Sequence, residues 1–193
     1  MIIGITGGTG CGKTTLLNLI ADMGGLIIDC DAVYHRLLRT DTQMLAAIDS
    51  AFPGTVTDGE LDRKALGRIV FADPEALLKL NAITHSAVKT EVLRLLSQAP
   101  ELAAIDAIGL FEGGLAALCD VTVAVTAPEE SRVQRLMARD GISEEYARAR
   151  IAAQKSDGYF AALCSHVLQN CGTQAEFREK CLAFLQGLDI IKP

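Results

Sequence analysis

Gly7-Gly8-Thr9-Gly10-Cys11-Gly12-Lys13-Thr14, followed by Thr15, is the stretch that decides the fold. It satisfies G-x-x-x-x-G-K-[ST], a spacing that composition alone would produce in about half a percent of random chains of this length. Upstream, Ile2, Ile3, Ile5 and Thr6 form a short β-branched run that reads as a strand. Downstream, Leu16, Leu17, Leu19 and Ile20 supply the apolar stripe of a helix, and residues 26–28 are apolar again. A glycine loop between a strand and a helix turns backbone amides and the positive end of the helix dipole toward one point, which suits a phosphate. Glycines let the backbone pass close to that phosphate, Lys13 reaches β- and γ-phosphates, and the Thr14 hydroxyl can ligate Mg2+. The expected nucleotide-binding residues are therefore Gly8, Gly10, Cys11, Gly12, Lys13, Thr14 and Thr15, with Thr15 near the α-phosphate. No G-x-G-x-x-G starts at Gly8 or Gly10, which disfavours a dinucleotide fold. Cys11 falls at a helix N-terminus, where a thiolate is favoured; a small filler is the plain alternative to a redox role.

Working outward, residues 102–108, 121–125 and 166–168 read as buried strands, each followed by a helical pattern. That alternation predicts an α/β fold, a P-loop parallel sheet with helices on both faces. Residues 31–99 read as helical almost throughout, with Asp62 as an N-cap, Pro74 in a first turn after Asp73, and Pro100 as a stop. Residues 128–163 are also helical, broken at Gly141 and recapped at Ser143.

The remaining composition narrows the partners. With 193 residues, half of them apolar and 22% charged, the chain has the makeup of a globular protein with a substantial core. Its longest apolar run, Tyr159 to Cys164, is six residues, whereas a membrane span needs about 20. The N-terminal residues do not read as a signal peptide, and the expected compartment is the cytoplasm. Six cysteines without C-x-x-C spacing predict free thiols, with neither disulfides nor zinc. A net charge of -6 disfavours nucleic acid. Between Arg132 and Lys155, however, six basic residues face three acidic ones, which suggests a small anionic ligand. A monomer is compatible with the sequence.

Four features bear on chemistry. Alternation along an extended strand would put Asp29 and Asp31 on one side, where either could take the proton of an attacking hydroxyl. The bland account is a helix N-cap at Asp31 with Asp29 solvated. Asp106-Ala107-Ile108-Gly109 resembles the D-x-x-G of GTPases, but no N-K-x-D follows, which disfavours a GTP switch. Arg132, Arg135 and Arg139 fall at i, i+3 and i+7, a face that could close over a triphosphate or lie solvated. His85, within a helical stretch, is by itself more often a packing residue than a catalyst.

Together these pieces resemble the dephospho-coenzyme A kinase family, from Ile2 to about Gly172. The resemblance rests on Ile5-Thr6-Gly7-Gly8 through Thr15, Ile28-Asp29-Cys30-Asp31, Leu61-Asp62-Arg63, Ile69-Val70-Phe71, Ile83-Thr84-His85, Leu110-Phe111-Glu112, Arg135 through Arg139-Asp140-Gly141 to Gln154, and Asn170. It implies a nucleotide-binding core of residues 1–31, 100–127 and 164–193, a helical acceptor-binding insertion at 32–99, and a helical lid at 128–163. It also implies ATP and Mg2+, with transfer of the γ-phosphoryl to the ribose 3'-hydroxyl of dephospho-CoA. On that resemblance Asp31 is the base, Lys13 and Arg139 are catalytic, and Arg135 and Asn170 contact the nucleotide. Thr6 and His85 lie toward the acceptor. His35, Ser86, Ile108, Cys164 and Ser165 depart from the family pattern. The alternatives are a nucleoside or nucleoside monophosphate kinase and a non-catalytic nucleotide-binding regulator; intact Lys13, Thr14 and Asp31 argue against the latter.

Overall fold

β-Branched residues buried on both faces, flanked by glycine turns, set the centre of the sheet. In the computed structural model, which describes residues 1–188 and 190, the chain order is β1 (Ile2–Thr6), α1 (Lys13–Asp22), β2 (Leu26–Asp29), α2 (Cys30–Thr40), α3 (Thr42–Ala51), β3 (Val56–Thr57), β4 (Glu60–Leu61), α4 (Arg63–Ala72) and α5 (Pro74–Leu96). There follow β5 (Ala103–Asp106), a 3-10 turn at Ala116–Leu118, β6 (Val121–Thr126), α6 (Glu129–Asp140), α7 (Glu144–Ala152), α8 (Asp157–Leu163), β7 (His166–Gln169) and α9 (Gln174–Gly187). The large sheet has the order β2-β5-β1-β6-β7. β1 runs parallel to both β5 and β6, and β6 parallel to β7. The expected core segment 164–193 ends in residues 189 and 191–193, which lie outside the described residues.

The register places Ile3 opposite Val121 and Ile5 opposite Val123. Ile3, Ile5, Ala104, Val123 and Val125 form one buried cluster with Leu16 and Ile20 of α1 and Phe177, Cys181 and Leu185 of α9. Each Val, Leu, Ile or Phe side chain among them contributes about 1.5–3 kcal/mol through burial. Gly4 points to the other face, where a Cβ would stand 2.7 Å from Cys119 Sγ, and α8 packs on β6. The sheet is thus covered on both sides, as expected.

The chain divides into two compact units. One holds Met1–Ile27, Ala99–Phe111 and the chain from Leu115 onward; the other holds Ile28–Gln98 with Glu112–Gly114. In the second unit α2, α3 and α4 each pack on the 23-residue α5. Asp62 caps α4 by accepting from the Lys64 and Ala65 amides, and Asp73 caps α5 with Pro74 in the first turn. One departure from the helical expectation is the β3–β4 hairpin, whose central Asp58 and Gly59 have φ of 53° and 81°. Both central residues left-handed is the twist a two-residue hairpin needs, and Asp-Gly is its signature.

Within the first unit, Val133, Leu136, Ala147 and Ile151 zip α6 to α7. Gly141 closes α6 at φ 65° and Ser143 caps α7. A second break was not anticipated: Ser156 caps α8 by accepting from the Tyr159 amide.

Candidate active site

The loop between β1 and α1 carries dihedrals that only glycine adopts cheaply. Gly7 has φ 136° and Gly12, the N-cap of α1, has φ 99°, with no side-chain oxygen capping the helix. The Lys13 ammonium folds back across the loop, donating to the Gly7 carbonyl at 3.0 Å and lying 3.8 Å from Asp106 Oδ1. Thr14 is exposed in the first turn of α1, and Thr15 donates its amide to Gly12 O. Among the described residues no group of three or more His, Cys, Asp or Glu is placed to hold a metal. A Mg2+ held by one hydroxyl, phosphate oxygens and water needs no such cluster, and the Thr14 hydroxyl beside Lys13 fits it. Cys11 is buried, and that burial pushes its thiol up in spite of Lys13 nearby. The expectation of a favoured thiolate is therefore corrected: desolvation outweighs the helix N-terminus.

Side chains from residues 132–170 hold the loop backbone. Arg132 Nε donates to Thr9 O at 2.9 Å and its Nη1 pairs with Asp157 Oδ1 at 3.1 Å. Gln154 Oε1 accepts from the Thr9 amide at 2.7 Å. Arg135 Nη1 donates to Gly10 O at 3.1 Å, and Asn170 Nδ2 to Cys11 O at 2.9 Å. The three arginines therefore do not act as one face. Arg132 is buried, Arg135 binds loop carbonyls, and the exposed Arg139 forms a bidentate pair with Asp140, which also takes Arg150 at 2.7 Å. Those two guanidiniums, Arg139 first, hold the Asp140 carboxyl at about 2. Thr6 is buried, its hydroxyl donating to the Ile108 carbonyl at 3.2 Å. At the Cys164–Ser165 departure, the Ser165 hydroxyl donates to Thr122 O at 2.9 Å and so ties β7 to β6.

In the second unit the two aspartates separate. Asp29 is the N-cap of α2, accepting from the Ala32 amide at 3.0 Å, and Asp31 is exposed in the first helical turn. The same-side strand geometry is therefore corrected, because the chain turns helical at Cys30. His85 is half-buried midway along α5. Near it in sequence, Glu91 accepts from Arg94 at 2.7 Å and from Arg36 at 2.6 Å.

Comparison with known proteins is decided by a family model described as Dephospho-CoA kinase, which matches residues 1–176. The chain belongs to the dephospho-CoA kinase family. It is 42% identical to the dephospho-CoA kinase of Anaeromyxobacter dehalogenans, over 96% of this chain and 92% of that one. It is 36% identical to that of Geobacillus kaustophilus, over 100% and 98%. Among solved structures, TT1252 from Thermus thermophilus matches with a TM-score of 0.81 at 36% identity, covering 97% of both chains. The dephospho-CoA kinase from Campylobacter jejuni matches with a TM-score of 0.68 at 26% identity, covering 97% and 96%. A shikimate kinase from Bacteroides thetaiotaomicron, 14% identical with a TM-score of 0.57, shares the fold. As a dephospho-CoA kinase, the chain is a transferase that uses ATP to phosphorylate dephospho-CoA in coenzyme A biosynthesis.

Two residues of the site went unread in the sequence. Asp106 was weighed only as part of a GTPase motif, although it ends the strand beside β1, where a carboxylate meets the loop lysine. Asp157 had no signal beyond following Ser156, since its partner Arg132 is 25 residues away.

Proposed function

We infer that the loop from Gly7 to Thr15 holds the triphosphate of ATP, and that the γ-phosphoryl passes to the 3'-hydroxyl of the dephospho-CoA ribose. The observation that carries this reading is Lys13, held on the Gly7 carbonyl at 3.0 Å at the mouth of a helix with no side-chain cap. Gly8, Gly10, Cys11, Gly12, Thr14 and Thr15 supply backbone and hydroxyl donors; Arg135 and Asn170 brace the nucleotide side of the loop, with Asn170 toward adenine. A bound Mg2+, ligated by Thr14, would neutralise charge between the phosphates.

Asp31 is the base in this reading. Asp29 is committed to capping α2, whereas Asp31 offers an exposed carboxylate in the first turn of the helix. Its carboxylate accepts the 3'-hydroxyl proton as the oxygen bonds to phosphorus and the bond from phosphorus to the β–γ bridging oxygen breaks, releasing ADP. Lys13 and Arg139 meet charge on the transferred oxygens, which requires Arg139 to exchange Asp140 for phosphate. Thr6 and His85 serve the acceptor side. The residues 128–163 act as the lid, and residues 32–99 bind the acceptor. We place the enzyme in the cytoplasm; among the described residues no helix is long and apolar enough to cross a membrane.

The test separates the two carboxylates. Asp31→Asn should lower turnover about 100-fold or more while ATP still raises the melting temperature as in the parent. Asp29→Asn should lower it less. The reverse order would give the role of base to Asp29.

A further inference from the structure

Arg132 belongs by its spacing to a face that could close over a triphosphate or lie solvated, yet it is buried at 5% exposure under the nucleotide loop. A guanidinium is costly to bury, and it persists only where its donors are directed. Here Nε takes Thr9 O and Nη1 takes Asp157 Oδ1, while Nη2, also buried, has no hydrogen-bond partner among the described residues. That Nη2 lies where a Cβ on Gly8 would collide with it, and the Arg132 carbonyl lies 2.9 Å from where a Cβ on Gly10 would sit. The loop is therefore pressed onto this one residue along Gly8, Thr9 and Gly10.

The grip is two-sided. Gln154 Oε1 takes the Thr9 amide at 2.7 Å, so both polar groups flanking Thr9 are held by the segment 128–163. Asp157 in turn accepts from the Ala127 amide at 3.2 Å through its second oxygen, anchoring Arg132 to the residue just after β6. None of these side chains needs to touch ATP to matter. Loop amides bind phosphate only if their directions are set beforehand, and a peptide free to rotate would spend binding energy on ordering.

We propose that Arg132, Gln154 and Asp157 are positioning residues for the kinase reaction: a brace that fixes the Gly8–Gly10 backbone so that the loop is ready for triphosphate before ATP arrives. Asp157 acts through Arg132, and Gln154 acts directly on Thr9. The inference rests on the nucleotide-loop reading above.

The test is steady-state kinetics of Asp157→Asn, Gln154→Leu and Arg132→Lys with each substrate varied in turn. The brace predicts that KM for ATP rises about tenfold or more in each, while KM for dephospho-CoA stays within about twofold of the parent. Arg132→Lys keeps the charge but loses the fork, so it should not rescue. A merely structural role would lower the melting temperature and depress kcat with either substrate varied, leaving both KM values alone, and that result overturns the proposal. Asp157→Asn strands a buried cation and could unfold the chain; Gln154 is neutral and half-exposed, so an unchanged KM for ATP in Gln154→Leu is by itself contradictory. Lys13→Ala separates the two readings: if it turns over like the parent, the loop reading fails, whereas if it is inactive and the brace variants keep the parent KM for ATP, only the brace fails.

Discussion

Lys13 lies across the Gly7 carbonyl and within 3.8 Å of Asp106, so its ammonium is already at the loop mouth when nucleotide arrives. Removing a preorganised cation from the transferred group costs about 3 kcal/mol or more in the transition state. Lys13→Ala should therefore abolish transfer, whatever the loss of its contacts to Gly7 and Asp106 does to the melting temperature; near-parental turnover by coupled assay would refute this. At this scale the glycine turn between β1 and α1 was legible, because its spacing encodes backbone geometry. Asp29 and Asp31 were not: both carboxylates were visible, but which one caps a helix depends on where β2 ends, and strand ends are set by tertiary pairing. Arg132 was misread for a related reason, since helical spacing gives a residue's angle around α6 and says nothing about what lies opposite.

α2 and α5 are joined at the level of elements by one carboxylate. The Arg94 hydrogen bond, reinforced by Arg36, holds Glu91 at about 2, against an ordinary value near 4.5. A folded-state value below the unfolded one stabilises at pH above the unfolded value and loses that contribution as pH falls through the folded one. The melting temperature of the parent should thus fall between about pH 4.5 and pH 2, and Glu91→Gln should be less stable at neutral pH with a flatter decline over that window. A variant curve parallel to the parent's would remove Glu91 as a tie. Elements with strong periodicity were readable: β1 has the expected bounds, and the caps at Asp62 and Asp73 fall where their residue types put them. The β3–β4 hairpin was lost in a helical reading because each strand is two residues long, too short for alternation to register. Its Asp58-Gly59 turn was the available signal.

For the whole molecule, a net charge of -6 with a basic stretch between Arg132 and Lys155 pointed to an anionic ligand. The structure qualifies how that charge is spent. Arg148 pairs with Glu129, Glu130 and Glu144, Arg139 and Arg150 share Asp140, and Arg132 faces Asp157. Arg135 is turned onto loop carbonyls. Composition shows an excess of charge; pairing across helices decides which cations remain for a ligand, and that depends on packing. The central claim is that these residues move a phosphoryl group from ATP to one hydroxyl of dephospho-CoA. The most direct measurement is to incubate the purified chain with ATP, Mg2+ and dephospho-CoA or a panel of nucleosides, and to determine product mass and phosphate position by mass spectrometry and phosphorus NMR. The account predicts ADP and a single product, phosphorylated on the ribose 3'-hydroxyl of dephospho-CoA, with no comparable product from any nucleoside. Phosphate on another position, preferential transfer to a nucleoside, or no transfer at all would contradict it.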